Sequence, residues 1–255
     1  MNGIYEKRRD ILQQFANLTG KASVYYYDLT TGEEIAIQAD IPMRAASLIK
    51  VPVMMTLMEE AALGHLSLDQ TVSIRKEDKL PPCGVLTFLH EGLTVTLEDL
   101  CQLMIIVSDN TATNLLIKLV GIDTVKAFMH RNGCKISELR RLLYDAEEEA
   151  KGIQNEVTAR EMGILMKQIY ENPDKKMLNM LLGQQLNGKV PVGLREFECD
   201  YAHKTGEEEG ITHDAGIVMA EKPFILCFLT NEMPDVTAAE RAMQVLTKQL
   251  METYQ

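Results

Sequence analysis

Apolar residues recur at intervals of three and four along much of the chain, the spacing that places them on one face of a helix. In the first segment Ile4, Ile11, Leu12, Phe15 and Leu18 carry this pattern and predict a helix that belongs to the fold. The same periodicity predicts further helices over residues 47–64, 97–107, 111–120, 122–131, 159–172, 176–186 and 238–253.

The boundaries of several helices are marked by capping residues. Thr96, Thr158 and Thr237 are each followed three residues later by Asp or Glu, which is the sequence signature of a helix N-terminus. Residues 81–84 (Pro-Pro-Cys-Gly) and the acidic segment 144–156 lack periodicity, so both are predicted to be loops.

Five segments have the composition of β-strands. They are residues 22–28, 34–38, 199–205, 214–220 and 223–230, the first two forming a hairpin around a Thr-Thr-Gly turn. The order helix, two strands, helices, three strands, helix predicts an α+β fold. We expect a five-stranded antiparallel sheet flanked by the terminal helices, together with an all-helical lobe.

All 255 residues are expected to form a single catalytic domain with two lobes. Residues 1–40 and 187–255 would make the α/β lobe, and residues 41–186 the helical lobe. A ligand site is expected in the cleft between the lobes, because clefts of this kind are where small molecules usually bind.

Composition and charge indicate which binding partners and which cellular location to expect. The net charge of −11 argues against nucleic acid or an anionic membrane as the main partner, and no apolar run is long enough to span a membrane. The charged segment Met1 to Arg9 is not followed by a signal-peptide pattern, so a cytoplasmic location is expected, or a periplasmic or secreted one if a leader was removed. The chain has five cysteines, an odd number, and none of them forms a C-x-x-C motif. They are therefore expected to be reduced thiols in the core.

Ser47 and Lys50 are the first candidates for chemistry. They lie three residues apart at the head of an apolar segment, so a helix that begins at Ser47 would place both on one face, within hydrogen-bonding reach. A serine hydroxyl needs an adjacent base to become a nucleophile, and a desolvated lysine can act as one. The helix N-terminus adds free N–H groups that favour an oxyanion.

Two more motifs follow in order. Ser108-Asp109-Asn110 lies between two apolar helices, and Lys204-Thr205-Gly206 ends a strand. S-x-x-K, S-D-N and K-T-G in this order are the signature of class A β-lactamases and penicillin-binding proteins. The segments 84–86, 100–116 and 203–218 also resemble class A sequences, so the resemblance covers essentially the whole chain.

The resemblance implies a role for each motif residue in acyl transfer. Ser47 would be the acylated nucleophile, Lys50 would take or relay its proton, and Ser108 would pass a proton to the leaving nitrogen. Asp109 is expected to be structural, because its two neighbours would point into the cleft.

The same resemblance implies the substrate-binding residues. Asn110 would bind the side-chain amide of the substrate, and Lys204 and Thr205, followed by Gly206, would bind its carboxylate. The backbone N–H groups of Ser47 and Glu207 would form the oxyanion hole. Glu207 departs from the family, which usually has a small residue or serine there, and it places a carboxylate close to an anion-binding edge.

The family uses a loop glutamate, in a Glu-x-x-x-Asn context, to activate the hydrolytic water. No glutamate of residues 144–150 has Asn four residues later. Glu147 is the best candidate, followed by Glu148 and Asp145. Asn114 resembles the family asparagine that stabilises this loop.

The histidines do not indicate a second catalytic site or a metal site. His203 and His213 lie in strand-like sequence and are expected to have structural or cleft-edge roles, whereas His65, His90 and His130 are isolated and lack metal-ligand spacing. No metal or other cofactor is expected.

The expected protein is therefore a monomeric class A-type serine β-lactamase that acts on a small molecule. A D-alanyl-D-alanine carboxypeptidase or esterase on the same fold is one alternative. A penicillin-binding sensor that does not turn over is another.

Overall fold

The computed structural model describes residues 2–81 and 83–254. Pro82, in the loop predicted at residues 81–84, lies outside this part of the chain. The strands are β1 (Lys21–Asp28), β2 (Glu34–Ile37), β3 (Met43–Arg44), β4 (Thr71–Ser73), β5 (Thr94–Thr96), β6 (Glu156–Val157), β7 (Asp200–Glu208), β8 (Ile211–Met219) and β9 (Phe224–Asn231). The α-helices are α1 (Asn2–Ala16), α2 (Lys50–Ala62), α3 (Leu97–Ile106), α4 (Asn110–Val120), α5 (Ile122–Arg131), α6 (Ala146–Ala150), α7 (Ala159–Glu171), α8 (Lys176–Leu182), α9 (Val190–Leu194) and α10 (Val236–Met251).

Five strands form one antiparallel sheet in the order β2–β1–β9–β8–β7. The predicted sheet is therefore confirmed, with β7 at one edge. The hairpin between β7 and β8 is longer than predicted, because β7 continues through Glu207 to Glu208 and β8 already starts at Ile211. Glutamates are uncommon in strands, so their presence hid this extension in the sequence. Gly210 supplies a positive φ of 68° in the tight turn between the two strands.

The terminal helices α1 and α10, with α9, cover one face of the sheet. Their core includes Leu12, Phe15 and Leu246, packed against Val24 and Phe228 of the central strands. Ile11, Leu12 and Phe15 of the predicted pattern are buried in α1, whereas Ile4 is 55% exposed and Leu18 follows the end of the helix.

The helical lobe packs against the other face of the sheet. Helix α7 approaches the sheet closely, because a Cβ at Gly163 would lie only 2.2 Å from the Tyr25 ring. Two capping predictions are confirmed: the Thr96 hydroxyl accepts from Asp99 N (3.0 Å) and the Thr158 hydroxyl accepts from Glu161 N (3.2 Å).

Other predictions differ from the structure. The final helix is capped by Asp235, whose side chain accepts from Ala238 N, so the predicted cap at Thr237 is wrong. The acidic segment 144–156 contains the one-turn helix α6 and the first residue of β6. Several short elements produce no periodic signal in the sequence, because each has too few residues: α6, α9 and the strand pairs β3–β6 and β4–β5.

The cysteines are free, but not all of them are core thiols. Cys101, Cys134 and Cys227 are buried and Cys199 is half-buried, whereas Cys83 is exposed. In the described residues, no helix is both long and apolar enough to cross a membrane.

Candidate active site

Ser47, Ser108 and Thr205 line one cleft of about 670 Å³. They come from three elements: the short 3₁₀ helix Ala46–Ile49 that precedes α2, the loop between α3 and α4, and strand β7. The cleft therefore lies where the β7 edge of the sheet meets the helical lobe, and the three sequence motifs converge there.

Ser47 stands directly after a residue with an unusual backbone conformation. Ala46 has φ +43°, a region that costs a non-glycine residue about 1–3 kcal/mol. Ala46 is buried and Ser47 is half-buried in the cleft. The surrounding structure thus holds the serine hydroxyl at the start of the helix, facing the cleft.

Gly206 allows β7 to lie close to this 3₁₀ helix. A Cβ at Gly206 would lie 2.9 Å from His213 Cδ2 and 3.3 Å from Ala46 Cβ, closer than neighbours ordinarily allow. Its role in the site is therefore spatial: it brings the strand that carries Thr205 next to Ser47.

Lys50 is completely buried beneath the cleft. Its Nζ donates to Ser108 O (2.7 Å), Ser108 Oγ (2.9 Å) and Asn110 Oδ1 (2.9 Å). Burial, and then the nearby Lys204, hold the pKa of Lys50 well below its ordinary value. The prediction placed Lys50 within hydrogen-bonding reach of Ser47, whereas in the described residues all three donors of its ammonium go to Ser108 and Asn110.

Asp109 has the structural role expected for it. Its carboxylate caps α4 by accepting from Ala112 N (2.9 Å), and it also accepts from Val85 N (2.7 Å) and Leu86 N (2.8 Å). Gly84 permits this approach, because a Cβ there would lie 2.3 Å from an Asp109 oxygen. The contact fixes the loop at Val85 against α4, so Ser108 and Asn110 on either side of Asp109 face the cleft.

Lys204 is fully buried behind Thr205. Its Nζ donates to Thr205 O (2.9 Å), and burial lowers the pKa of Lys204 to about 7. The lysine predicted to bind an anion is thus only partly charged at neutral pH.

A second buried lysine, missed in the sequence, lies next to this strand. Lys189 Nζ donates to His213 O (3.0 Å) and Gly206 O (3.3 Å), and it lies 3.1 Å from Glu207 Oε1. Lys189 precedes the short helix α9, and its partners are far away along the chain, so no local pattern could reveal it.

The loop that follows α5 is attached to α4 by Asn114. Its side chain donates to Leu143 O and accepts from Leu143 N, both at 2.9 Å, which is the loop contact implied by the family resemblance. Tyr144, which follows, has φ +57° and lines the cleft.

The carboxylates of this loop are arranged differently from the prediction. Glu147 is exposed on α6 and is not among the residues that line the cleft, Glu148 pairs with Lys151, and Asp145 caps α6. The loop carboxylate at the cleft is Glu149. It pairs at 2.7 Å with Arg141, a buried arginine that also lines the cleft. None of the three consecutive glutamates is followed by Asn four residues later, so the sequence does not show which of them reaches the cleft.

The two strand histidines are buried with both ring nitrogens bonded. His203 is joined to Asp214 Oδ1 (2.8 Å) and Asn187 Oδ1 (3.0 Å), while His213 donates to Arg44 O (2.9 Å) and accepts from Thr230 N (3.1 Å). Burial lowers the pKa of His213 to about 4. These contacts agree with the structural roles expected for both histidines.

A model of the β-lactamase enzyme family matches residues 4–254. The chain belongs to the β-lactamase enzyme family. It is 26% identical to the β-lactamase FAR-1 of Nocardia farcinica over 240 residues, which cover 88% of this chain and 74% of that one. It is also 34% identical over 140 residues to the β-lactamase L2 of Stenotrophomonas maltophilia, a match that spans 54% of this chain and 46% of the relative.

Two solved structures illustrate the shared fold. A β-lactamase from Sphaerobacter thermophilus superposes with a TM-score of 0.89 at 29% identity, with 98% of each chain covered. The structure titled PBP-A, at 21% identity, has a TM-score of 0.86 over 98% of this chain and 96% of that one. The predicted α+β architecture is therefore confirmed.

Proposed function

We propose that this protein is a serine hydrolase of the class A β-lactamase type, which opens a cyclic amide through an acyl-enzyme on Ser47. The observation that carries the proposal is the convergence of Ser47, Ser108 and Thr205 on one cleft, with Lys50 and Lys204 buried beneath it. Membership of the β-lactamase enzyme family supports this assignment.

In the acylation step, Ser47 Oγ attacks the substrate carbonyl carbon and its proton passes to Lys50 Nζ. The lowered pKa of Lys50, caused by burial, gives the amine a neutral form that can accept a proton. A neutral amine keeps two N–H donors and gains a lone pair, so deprotonation frees one of the three bonds to Ser108 and Asn110.

The tetrahedral intermediate then loses its amine. The C–N bond breaks, the nitrogen takes a proton from Ser108 Oγ, and Lys50, 2.9 Å away, returns its proton to Ser108. The N–H groups of Ser47 and Glu207 serve as the oxyanion donors, one of which is typically worth about 10²–10³ in rate.

For deacylation we assign the water-activating carboxylate to Glu149 in place of Glu147. Glu149 lines the cleft, and the loop that carries it is fixed by the two hydrogen bonds between Asn114 and Leu143. An incoming water would give a proton to this carboxylate while its oxygen attacks the ester carbonyl. The bond from the carbonyl carbon to Ser47 Oγ then breaks, and the carboxyl returns the proton so that Ser47 leaves as a hydroxyl.

One observation favours a second function, a penicillin-binding sensor that releases its product slowly. Glu149 is held by Arg141 at 2.7 Å, and this ion pair occupies a carboxylate oxygen that would otherwise be available to the hydrolytic water. In this case acylation would proceed as above and hydrolysis of the Ser47 ester would limit turnover.

The test combines a chromogenic cephalosporin with intact-mass measurement. Many turnovers per protein would establish a β-lactamase, and a single burst with a persistent adduct on Ser47 would establish the sensor. Ser47→Ala should abolish both colour change and adduct, because among the described residues that line the cleft Ser47 is the hydroxyl that lies at this helix terminus. Retained labelling in Ser47→Ala would contradict the mechanism.

A further inference from the structure

The ion pair between Lys189 and Glu207 borders the candidate anion-binding part of the cleft: Glu207 lines the cleft, and Lys189 lies behind it. Thr205 and Glu207 are two residues apart on β7, so their side chains share one face of the strand, and both line the cleft with Ser47. The Lys189 side chain is only 4% exposed, whereas that of Glu207 is 61% exposed. A buried cation is thus covered by a carboxylate that solvent and ligands can reach.

The bonding of Lys189 shows what this carboxylate does. Lys189 donates to the backbone carbonyls of Gly206 and His213, and the Glu207 carboxylate lies 3.1 Å from the same nitrogen as its ion-pair partner. The carboxylate of Glu207 therefore neutralises, on the side of the cleft, a positive charge that would otherwise attract an anion there.

The neighbouring charges strengthen this effect. Glu208 and Glu209 follow Glu207 along the rim of the cleft. Glu207 is paired with Lys189 and Glu208 with Arg44, whereas Glu209 makes no ion pair within the described residues. Lys204, the other cation near Thr205, has its pKa lowered to about 7 by burial and so offers only part of a positive charge at neutral pH. A substrate carboxylate at this end of the cleft would face more negative than positive charge.

We propose that Glu207 is a specificity-determining residue whose carboxylate occupies, on Lys189, the position of a substrate carboxylate. The enzyme accordingly favours acyl donors that lack a free carboxylate beside the scissile amide or ester. This inference rests on the proposed function, since it concerns the same acylation of Ser47.

The experiment compares a chromogenic cephalosporin that carries its free carboxylate with the methyl ester of the same compound. kcat/KM for both compounds and the mass of the Ser47 adduct are measured for the wild type, Glu207→Gln and Glu209→Gln. The amide of Glu207→Gln has nearly the same size and shape as the carboxylate, so this variant removes the charge and keeps the packing beside Lys189. Glu209→Gln changes the charge of the same rim by the same amount without removing the partner of Lys189.

The wild type is expected to prefer the ester, and Glu207→Gln should raise kcat/KM for the carboxylate form by about tenfold relative to the ester. Glu209→Gln should change that ratio by less than about twofold. An unchanged ratio in Glu207→Gln, or an equal shift in Glu209→Gln, would overturn the inference and leave the proposed function intact, provided that Ser47 still forms adducts. Absence of any Ser47 adduct, in the wild type and in Glu207→Gln, would overturn both.

Discussion

At the scale of single residues, Lys204 makes the cleft sensitive to pH near neutrality. A lysine is charged below its pKa, and burial places the pKa of Lys204 at about 7. Attraction for a substrate carboxylate should therefore be present below pH 7 and be lost as the pH rises through this value. The measurement is the ratio of kcat/KM for a carboxylate substrate to that for its methyl ester, in which the contribution of Lys50 to acylation cancels.

Lys204→Arg provides the matched variant. A guanidinium stays charged throughout this pH range, so the ratio should no longer fall between pH 6 and pH 8. A ratio in Lys204→Arg that falls as in the wild type would show that another group causes the pH dependence.

The sequence contains strong signals for some site residues and none for others. Ser47 and Lys204 belong to short motifs whose chemistry requires a fixed spacing, and that spacing is visible in the sequence. The partners of Lys189 and Glu149 are brought to them only by the tertiary structure. Lys189 donates to backbone carbonyls of β7 and β8, and Glu149 pairs with the buried Arg141. The direction in which the one-turn helix α6 points its three glutamates depends on packing, which no local pattern encodes.

At the scale of elements, Asp109 joins the loop at Val85 to the start of α4. Asp109→Ala would remove a helix cap, worth about 1 kcal/mol, and leave the N–H groups of Val85 and Leu86 without their acceptor at about 1–3 kcal/mol each. We expect a loss of about 3 kcal/mol or more in the free energy of unfolding, measured by urea denaturation.

Asp235 provides the control for this prediction. Its side chain caps α10 through the bond to Ala238 N (3.0 Å) and bonds to no loop within the part of the chain that the structure describes, so Asp235→Ala should cost only about 1 kcal/mol. Equal losses for the two variants would mean that the bonds from Asp109 to the loop contribute little.

The loop that carries Glu149 depends on one side chain of another element. Asn114→Ala would remove both hydrogen bonds to Leu143 and loosen residues 143–151 from α4. Trypsin cleavage after the exposed Lys151 should become several-fold faster, and hydrolysis of the Ser47 ester should slow more than its formation. A cleavage rate equal to that of the wild type would show that the loop is fixed by other contacts.

Element boundaries were predictable where side chains mark them. Thr96 and Thr158 cap their helices as the sequence indicates, because the capping signal is local. Thr237 has the same signature, but Asp235 lies two residues earlier and caps the helix instead. The sequence does not indicate that β7 extends through Glu207, because glutamate has a low strand propensity. Pairing with β8 stabilises the extended conformation there, and that pairing is a tertiary contact.

At the scale of the whole molecule, the order of elements was enough to predict the architecture. Strands at both ends of the chain must pair across a long helical insertion, and β1 indeed lies beside β9. The sheet then separates two apolar cores, one under α1 and α10 and the other in the helical lobe. The cleft forms where the helical lobe meets the edge strand β7, so every site residue depends on how the two layers are joined.

This dependence leads to a prediction about Phe15, which lies far from the cleft. Phe15 is fully buried, its ring 4.5 Å from that of Phe228, and Phe15→Ala should cost about 3–5 kcal/mol. Since β9 carries Phe228 on one face and packs against the helical lobe on the other, the lobes should unfold together. In a urea titration, loss of helical circular dichroism and loss of Ser47 labelling should then shift to lower urea by the same amount. Labelling that persists beyond the circular dichroism transition of Phe15→Ala would instead show that the helical lobe and its cleft survive without the α1–α10 layer.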